Sequence, residues 1–253
     1  MSFQTAGVGS RVFNTRLLEI LAIAVHNTSV QLYKLDTSRH TKDGIVEWEP
    51  PKSDFVFWNA YPDGALPTLF RHPWYRAYDQ CPNGVADMVG YWAENRILGG
   101  VSLFKRRGRE QGDPNFYQDD DNDEVYMHPD RSRVSYRIFQ LLPQQKQSLI
   151  SFLTSSEPPP KKVPISLSSS GENRIRIDPE ESIRETGIYR DLWERKDLSD
   201  DQGDRRLKDV WSNFDYPTFE EWNAAYKRAW ERKMRITYGP DWEKKLDEWD
   251  ESD

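Results

Sequence analysis

The stretch NGVADMVGYWAENRILGGVSLF, residues 83–104, decides the fold reading, because it holds a helix-to-strand transition. Val85, Met88, Val89 and Trp92 give the first part an apolar surface at helical spacing, with Asn83 as the expected N-cap and Gly99-Gly100 as the stop. The spacing therefore predicts a helix from Gly84 to Leu98. VSLF at 101–104 then reads as a strand. EVYM at 124–127 and VSYRIFQL at 134–141 are two more, the last alternating through Val134, Tyr136 and Ile138. Short links between them predict an antiparallel meander.

Working outward, residues 143–153 form a helix that has Pro143 in its first turn and turns Leu149, Ile150 and Leu153 inward. Thr15 to Leu35 forms another, capped by Asn14 or Thr15, with apolar residues on more than one face and His26 inside it. Between them, residues 36–83 are broken by prolines, and IVEW and FVFW are the strand candidates there. Residues 1–12 read as a disordered end, 13–154 as one α+β domain and 155–172, rich in Pro and Ser, as a linker. From 173 to 253 the pattern is wholly helical: Asp178-Pro179 opens one helix, and Ser199/Gln202 and Thr218/Glu221 have capping-box spacing. Six of the ten Trp lie in this extension, and Trp222, Tyr226, Trp230 and Met234 recur every fourth residue. The expected architecture is α+β: a small antiparallel sheet flanked by helices, with a helical Trp-rich C-terminal extension packed on it.

Composition excludes several functions. The net charge is −7, with most of the acid excess beyond Asn173, so a phosphate backbone is a poor partner and nucleic acid is not expected. One cysteine, Cys81, permits neither an internal disulfide nor a Cys-rich zinc site. His26, His40, His72 and His128 have no ligand-like spacing, and no metal or cofactor is expected. The longest apolar run, LLEILAIAV, is far short of a membrane span and the N-terminus carries no signal-peptide core. A cytoplasmic protein that does not engage membranes is expected. Motifs for a serine nucleophile elbow, a phosphate loop or a dinucleotide fold are absent. Asp119 to Glu124 contains a DDxxD spacing and half of an EF-hand pattern, but Glu124 stands where the EF-hand needs Gly. A solvated acidic turn is the simpler reading. Lys105-Arg106-Arg107 with Arg109 reads as a solvated loop, and Cys81 as a structural thiol.

Asp87, Tyr91 and Glu94 fall at i, i+4 and i+7, so they line one stripe of the 84–98 helix. The stripe either faces water, with its acids paired to Arg71, Arg76 or Arg96, or lines a pocket where burial tunes a carboxyl for proton transfer. In the second case His72, Asp87, Tyr91 and Glu94 are the candidate catalytic residues. His72 would shuttle a proton, and Tyr75 and Tyr91 would donate to a developing oxyanion. Trp74, Tyr75 and Trp92 would hold an apolar ligand. His26 reads as a hydrogen-bonded core histidine.

HPWYRAYDQCPNGVADMVGYWAENRILGGVSLFKRR, SYRIFQLLPQQKQSLISFL and DPEESIRETGIYRDLWERK together resemble a large family of uncharacterised filamentous-fungal proteins with no settled activity. The resemblance runs from about Thr15 to Trp211. It implies a fungal, intracellular protein near specialised metabolism and carries over no catalytic residues. Two functions follow: a cofactor-independent cyclase, isomerase or lyase acting on an apolar small molecule, or a protein-interaction module using the Trp-rich helices. In the latter the partner would be another protein or a second copy. An enclosed cavity of at least ~300 Å³ touching the stripe favours the enzyme, and a filled core with a bare aromatic stripe at 222–234 favours the module.

Overall fold

The computed structural model describes residues 7, 9–36, 50–60, 64, 66–106, 123–130, 135–155, 164–195 and 214–244. His40, the 119–122 acids, Arg107, Arg109, IVEW and the Ser199/Gln202 pair lie outside them. Helix α1 (Arg11–Leu35) begins four residues before the expected Thr15, because the Ser10 hydroxyl accepts the Phe13 N–H at 3.1 Å and caps it there. It buries one stripe, Leu18, Ala22, His26 and Val30, while Ile20 and Ile23 are exposed, so the expected burial on several faces is corrected. FVFW is a short helix, α2 (Phe55–Ala60), not a strand. The Asp54 carboxylate accepts the Phe57 N–H at 2.9 Å, and this local cap overrides the strand propensity of the side chains.

Helix α3 (Val85–Leu98) ends as expected, on Gly99 at φ 97°. A Cβ there would meet the Leu167 carbonyl oxygen at 2.1 Å, so only glycine fits. Its N-cap is Gly84 at φ 57°, not Asn83; Asn83 instead donates its backbone and amide N–H groups to Asp87 at 2.7 and 3.1 Å. The meander is β1 (Val101–Lys105), β2 (Val125–His128) and β3 (Ile138–Gln140), with Val101 opposite His128 and Met127 opposite Phe139. Phe104, Val125, Met127 and Phe139 face α1 and helix α4 (Pro143–Thr154). Val101, Leu103, Tyr126 and Ile138 face Tyr75 and Tyr91 on the other side. Both faces are therefore buried, which makes the strands read as continuous apolar runs.

The C-terminal half departs from a wholly helical pattern. β4 (Arg176–Ile177) adds to β3, and β5 (Ile188–Tyr189) adds to β1, giving a five-stranded antiparallel sheet of order β4-β3-β2-β1-β5. Between them α5 (Ile183–Thr186) is a single turn capped by Ser182, and the expected start at Asp178 is displaced because Asp178 is buried against Arg137 at 2.8 Å. The second part of the expected linker also packs: the Leu167 N–H donates to the Leu98 carbonyl at 2.7 Å. Helix α6 (Phe219–Tyr238) carries the aromatic repeat and the Thr218 cap. It docks through buried Ala225 and through Asp178, which receives the Tyr216 hydroxyl at 3.0 Å and lies 3.5 Å from Arg228. No helix of the described residues is long and apolar enough to cross a membrane.

Candidate functional site

The α3 stripe turns inward. Asp87 is 4%, Tyr91 1% and Glu94 0% exposed. What meets it is His26, brought across by α1. His26 Nε2 lies 2.9 Å from Asp87 Oδ1, and Nδ1 lies 2.9 Å from Glu94 Oε1. Gly90 makes room for this approach, since a Cβ there would stand 2.6 Å from the imidazole. From the segment after β5, Arg190 donates Nη1 to Glu94 Oε1 at 2.8 Å and Nε to Asp191 at 3.1 Å. Its guanidinium lies 5.4 Å from the Tyr91 ring centre. The Ser102 N–H at 3.3 Å completes the Glu94 carboxylate, and Glu194 accepts the Arg190 N–H at 3.0 Å.

The electrostatics follow from this packing. Burial opposes charge on His26, but the hydrogen bonds to Asp87 and Glu94, with the Glu94 charge, outweigh both it and the repulsion from Arg190, so the pKa is raised. Burial raises the Asp87 carboxyl, and the His26 and Asn83 hydrogen bonds more than reverse this. Both ring nitrogens of His26 thus face carboxylate oxygens, and Arg190 Nη2 lies 3.3 Å from Nδ1. Burial works against the Arg190 charge, but Glu94 holds its pKa well above the usual value. Tyr91 is pushed well above the phenol range, by burial first and Glu194 next, so it remains a neutral hydroxyl.

A cleft of about 180 Å³, open on one side, adjoins this cluster. His26, Asp87, Tyr91, Arg190, Asp191 and Trp193 line it, with Ile23, Asn27, Pro82 and Asn83. The Tyr91 hydroxyl has no hydrogen-bond partner among the described residues. The cleft is open and smaller than the enclosed ~300 Å³ that the sequence reading set for an enzyme, so that expectation is not met, and the space suits a compact molecule or one end of a longer one. A larger groove of about 670 Å³ lies between the start of α1, α4 and residues 172–175. None of the seven expected site residues lines it, and its charged groups are not buried.

The remaining candidates fall elsewhere. His72 is fully buried, accepts the Trp74 N–H at 3.3 Å and lies 3.2 Å from the His128 carbonyl. Burial lowers its pKa to about 4, so it is a neutral core histidine and not a proton shuttle. Tyr75 stacks on Tyr91 at 4.5 Å and bonds His128 Nδ1 at 3.0 Å, behind the cleft. Trp74 lies against His128, and Trp92 packs with Phe70 at 4.8 Å, so neither walls the cleft; Trp193 does. Glu94 does not line the cleft either and acts only through His26 and Arg190. Arg71, Arg76 and Arg96 are not what pairs the stripe. Cys81 is pushed up to about 12, by burial and then Asp87, and fits a structural thiol.

No family model, no curated protein and no solved structure matches this chain. The site stands on its own geometry. Of the residues singled out in the sequence, Asp87 and Tyr91 line the cleft; Arg190, Asp191 and Trp193 line it too and carried no signal in the sequence. His26 reads in the sequence as a core residue, which it is, without its contact to the stripe.

Proposed function

We propose that this protein is a cofactor-independent enzyme acting on a compact small molecule, or on one end of a longer one, in the His26 cleft. The observation that carries this reading is Tyr91, whose phenol has no hydrogen-bond partner among the described residues and which lines a cleft beside the hydrogen-bonded Asp87–His26 pair. A neutral phenol donates to a carbonyl oxygen, and the neighbouring Arg190 cation favours negative charge developing there. Asp87, on the same wall, accepts a proton from the carbon next to that carbonyl. The C–H electron pair moves to the C–C bond and the carbonyl pair onto oxygen; returning the proton to another carbon completes an isomerisation. Ile23, Pro82 and Trp193 supply the apolar surface. Glu94 is a positioning residue. The resemblance to filamentous-fungal proteins fits such chemistry in cytoplasmic specialised metabolism.

The test is deuterium incorporation into a panel of compact ketones and enones in D2O, with Tyr91→Phe as the control. Exchange that falls by ~10²-fold or more without the hydroxyl, in a protein of unchanged melting temperature, supports the assignment. Absence of exchange, together with unperturbed His26 and Tyr91 resonances across the panel, removes it.

The second reading is a protein-interaction module. It is favoured by the exposed aromatic residues Phe219, Tyr226 and Trp230 on α6.

A further inference from the structure

We infer that the His26 cleft takes a compact substrate that carries an ammonium group, held by the Asp191 carboxylate, and turns away carboxylates and phosphates. The inference rests on the reading of this cleft as the reactive site and adds the class of its substrate.

The charged and titratable groups that line the cleft are not equally available to a ligand. Arg190 is buried, and its guanidinium is committed to side chains of the protein. Nη1 donates to Glu94 Oε1 at 2.8 Å, Nε donates to Asp191 Oδ2 at 3.1 Å, and Nη2 lies 3.3 Å from His26 Nδ1. Its field reaches a bound molecule without a direct grip on it. His26 gives its two ring nitrogens to Asp87 and Glu94. Lys34, which donates to the Asn83 side chain at 2.6 Å, is not part of the lining.

Asp191 differs. Its side chain is 31% exposed, against 4% for Arg190, 5% for Asp87 and 8% for His26. Oδ2 meets Arg190, and Oδ1 has no hydrogen-bond partner among the described residues. The accessible charge of the cleft is thus a carboxylate with one oxygen unspent, which attracts a cationic N–H donor and repels an anion. Cys81, next in sequence to Pro82, feels the same field: after burial, Asp87, Asp79, Asp191 and Glu194 all raise its pKa. Trp193, two residues beyond Asp191, lines the opening with Ile23 and Pro82, and aromatic surface suits the apolar body of an amine. Tyr91, buried and unbonded among the described residues, makes the opposite demand, for an acceptor. The two unmet groups together describe a ligand with a carbonyl oxygen at one point and an ammonium at another.

The experiment titrates the full chain with benzylamine, benzyl alcohol and benzoate, probes of similar shape and different charge, by calorimetry at neutral pH. The His26 and Tyr91 resonances locate the site. Benzylamine, a cation there, should bind roughly tenfold more tightly than the alcohol, with benzoate weakest. Salt should narrow the gap. Asp191→Asn should bring benzylamine to the level of the alcohol, and Asp191→Glu should keep the preference. If the Asn variant does not fold, the charge order and salt dependence of the unaltered protein decide. Equal binding of the probes, or benzoate bound first, overturns the inference, as does a benzylamine preference untouched in a folded Asp191→Asn. A short lysine peptide should bind no better than the alcohol; tight peptide binding overturns the small-molecule class. Deuterium exchange into neutral ketones with no ammonium preference overturns the substrate class and leaves the reactive cleft standing. Ammonium-selective binding with no exchange into any ketone keeps the amine site and removes the reaction. No probe bound, with both resonances unmoved, removes both.

Discussion

His26 Nε2 and Asp87 Oδ1 stand 2.9 Å apart although 61 positions separate them in the chain. With Glu94 on the other ring nitrogen, a buried imidazole is held between two carboxylates, and Arg190 closes the set.

From the sequence alone, Asp87→Asn and Glu94→Gln would abolish activity and leave stability nearly intact. The packing changes the second half of that expectation for Glu94. Its fully buried carboxylate bonds both His26 and Arg190, so Glu94→Gln removes the charge that the Arg190 guanidinium is paired with inside the core. A loss of about 3–5 kcal/mol is expected, the cost of breaking a buried pair. Urea unfolding measures it; a loss under ~1 kcal/mol would place Glu94 outside the scaffold.

The two buried histidines give stability opposite pH slopes. The His26 pKa is raised on folding, so its contribution is complete below the unfolded value near 6.5 and disappears as pH rises through the folded value. His72 is lowered to about 4, so its contribution is complete above ~6.5 and falls as pH drops from there to about 4, by a few kcal/mol on the order-of-magnitude scale. A stability maximum near neutrality is expected from these two groups. Unfolding free energies from pH 4 to 9 check it, with His72→Asn flattening the acid limb.

Gly90→Ala has an unusual sign. In an exposed helix interior this change stabilises by up to ~1 kcal/mol. Here the added methyl group meets the His26 ring at 2.6 Å and must push α1 off α3. A destabilisation of about 1–3 kcal/mol is expected. A more stable variant would show that the two helices do not touch at this point.

Cys81 should react with a disulfide reagent at pH 8 orders of magnitude more slowly than free cysteine, since the thiolate is the reactive form and burial disfavours it. Rapid labelling of the native protein would contradict this environment.

The helical period placed Asp87, Tyr91 and Glu94 on one stripe because that information is local, and left open whether the stripe faced water or the interior. Their partners are not local. His26 comes from another helix, and Arg190 is 96 positions from Glu94, so no spacing rule connects them. His72, Trp74 and Tyr75 are near the stripe in sequence, yet they pack around His128 behind the Tyr75–Tyr91 stack. Nearness along the chain was a poor guide to the cleft. β1 to β3 were legible as apolar runs between turns, whereas β4 and β5, two residues each, are too short to show a period. FVFW had strand composition, and a single Asp54 cap made it helical.

Both outer strands of the sheet come from the last third of the chain, β4 on one side and β5 on the other. During synthesis the central meander therefore leaves the ribosome with two open edges; the β3 edge waits for Ile177 and the β1 edge for Tyr189. Open edges are templates for pairing with other chains. Fragments that stop before Arg176 should aggregate where the whole protein does not, and the newborn chain is a natural client for chaperones over that interval.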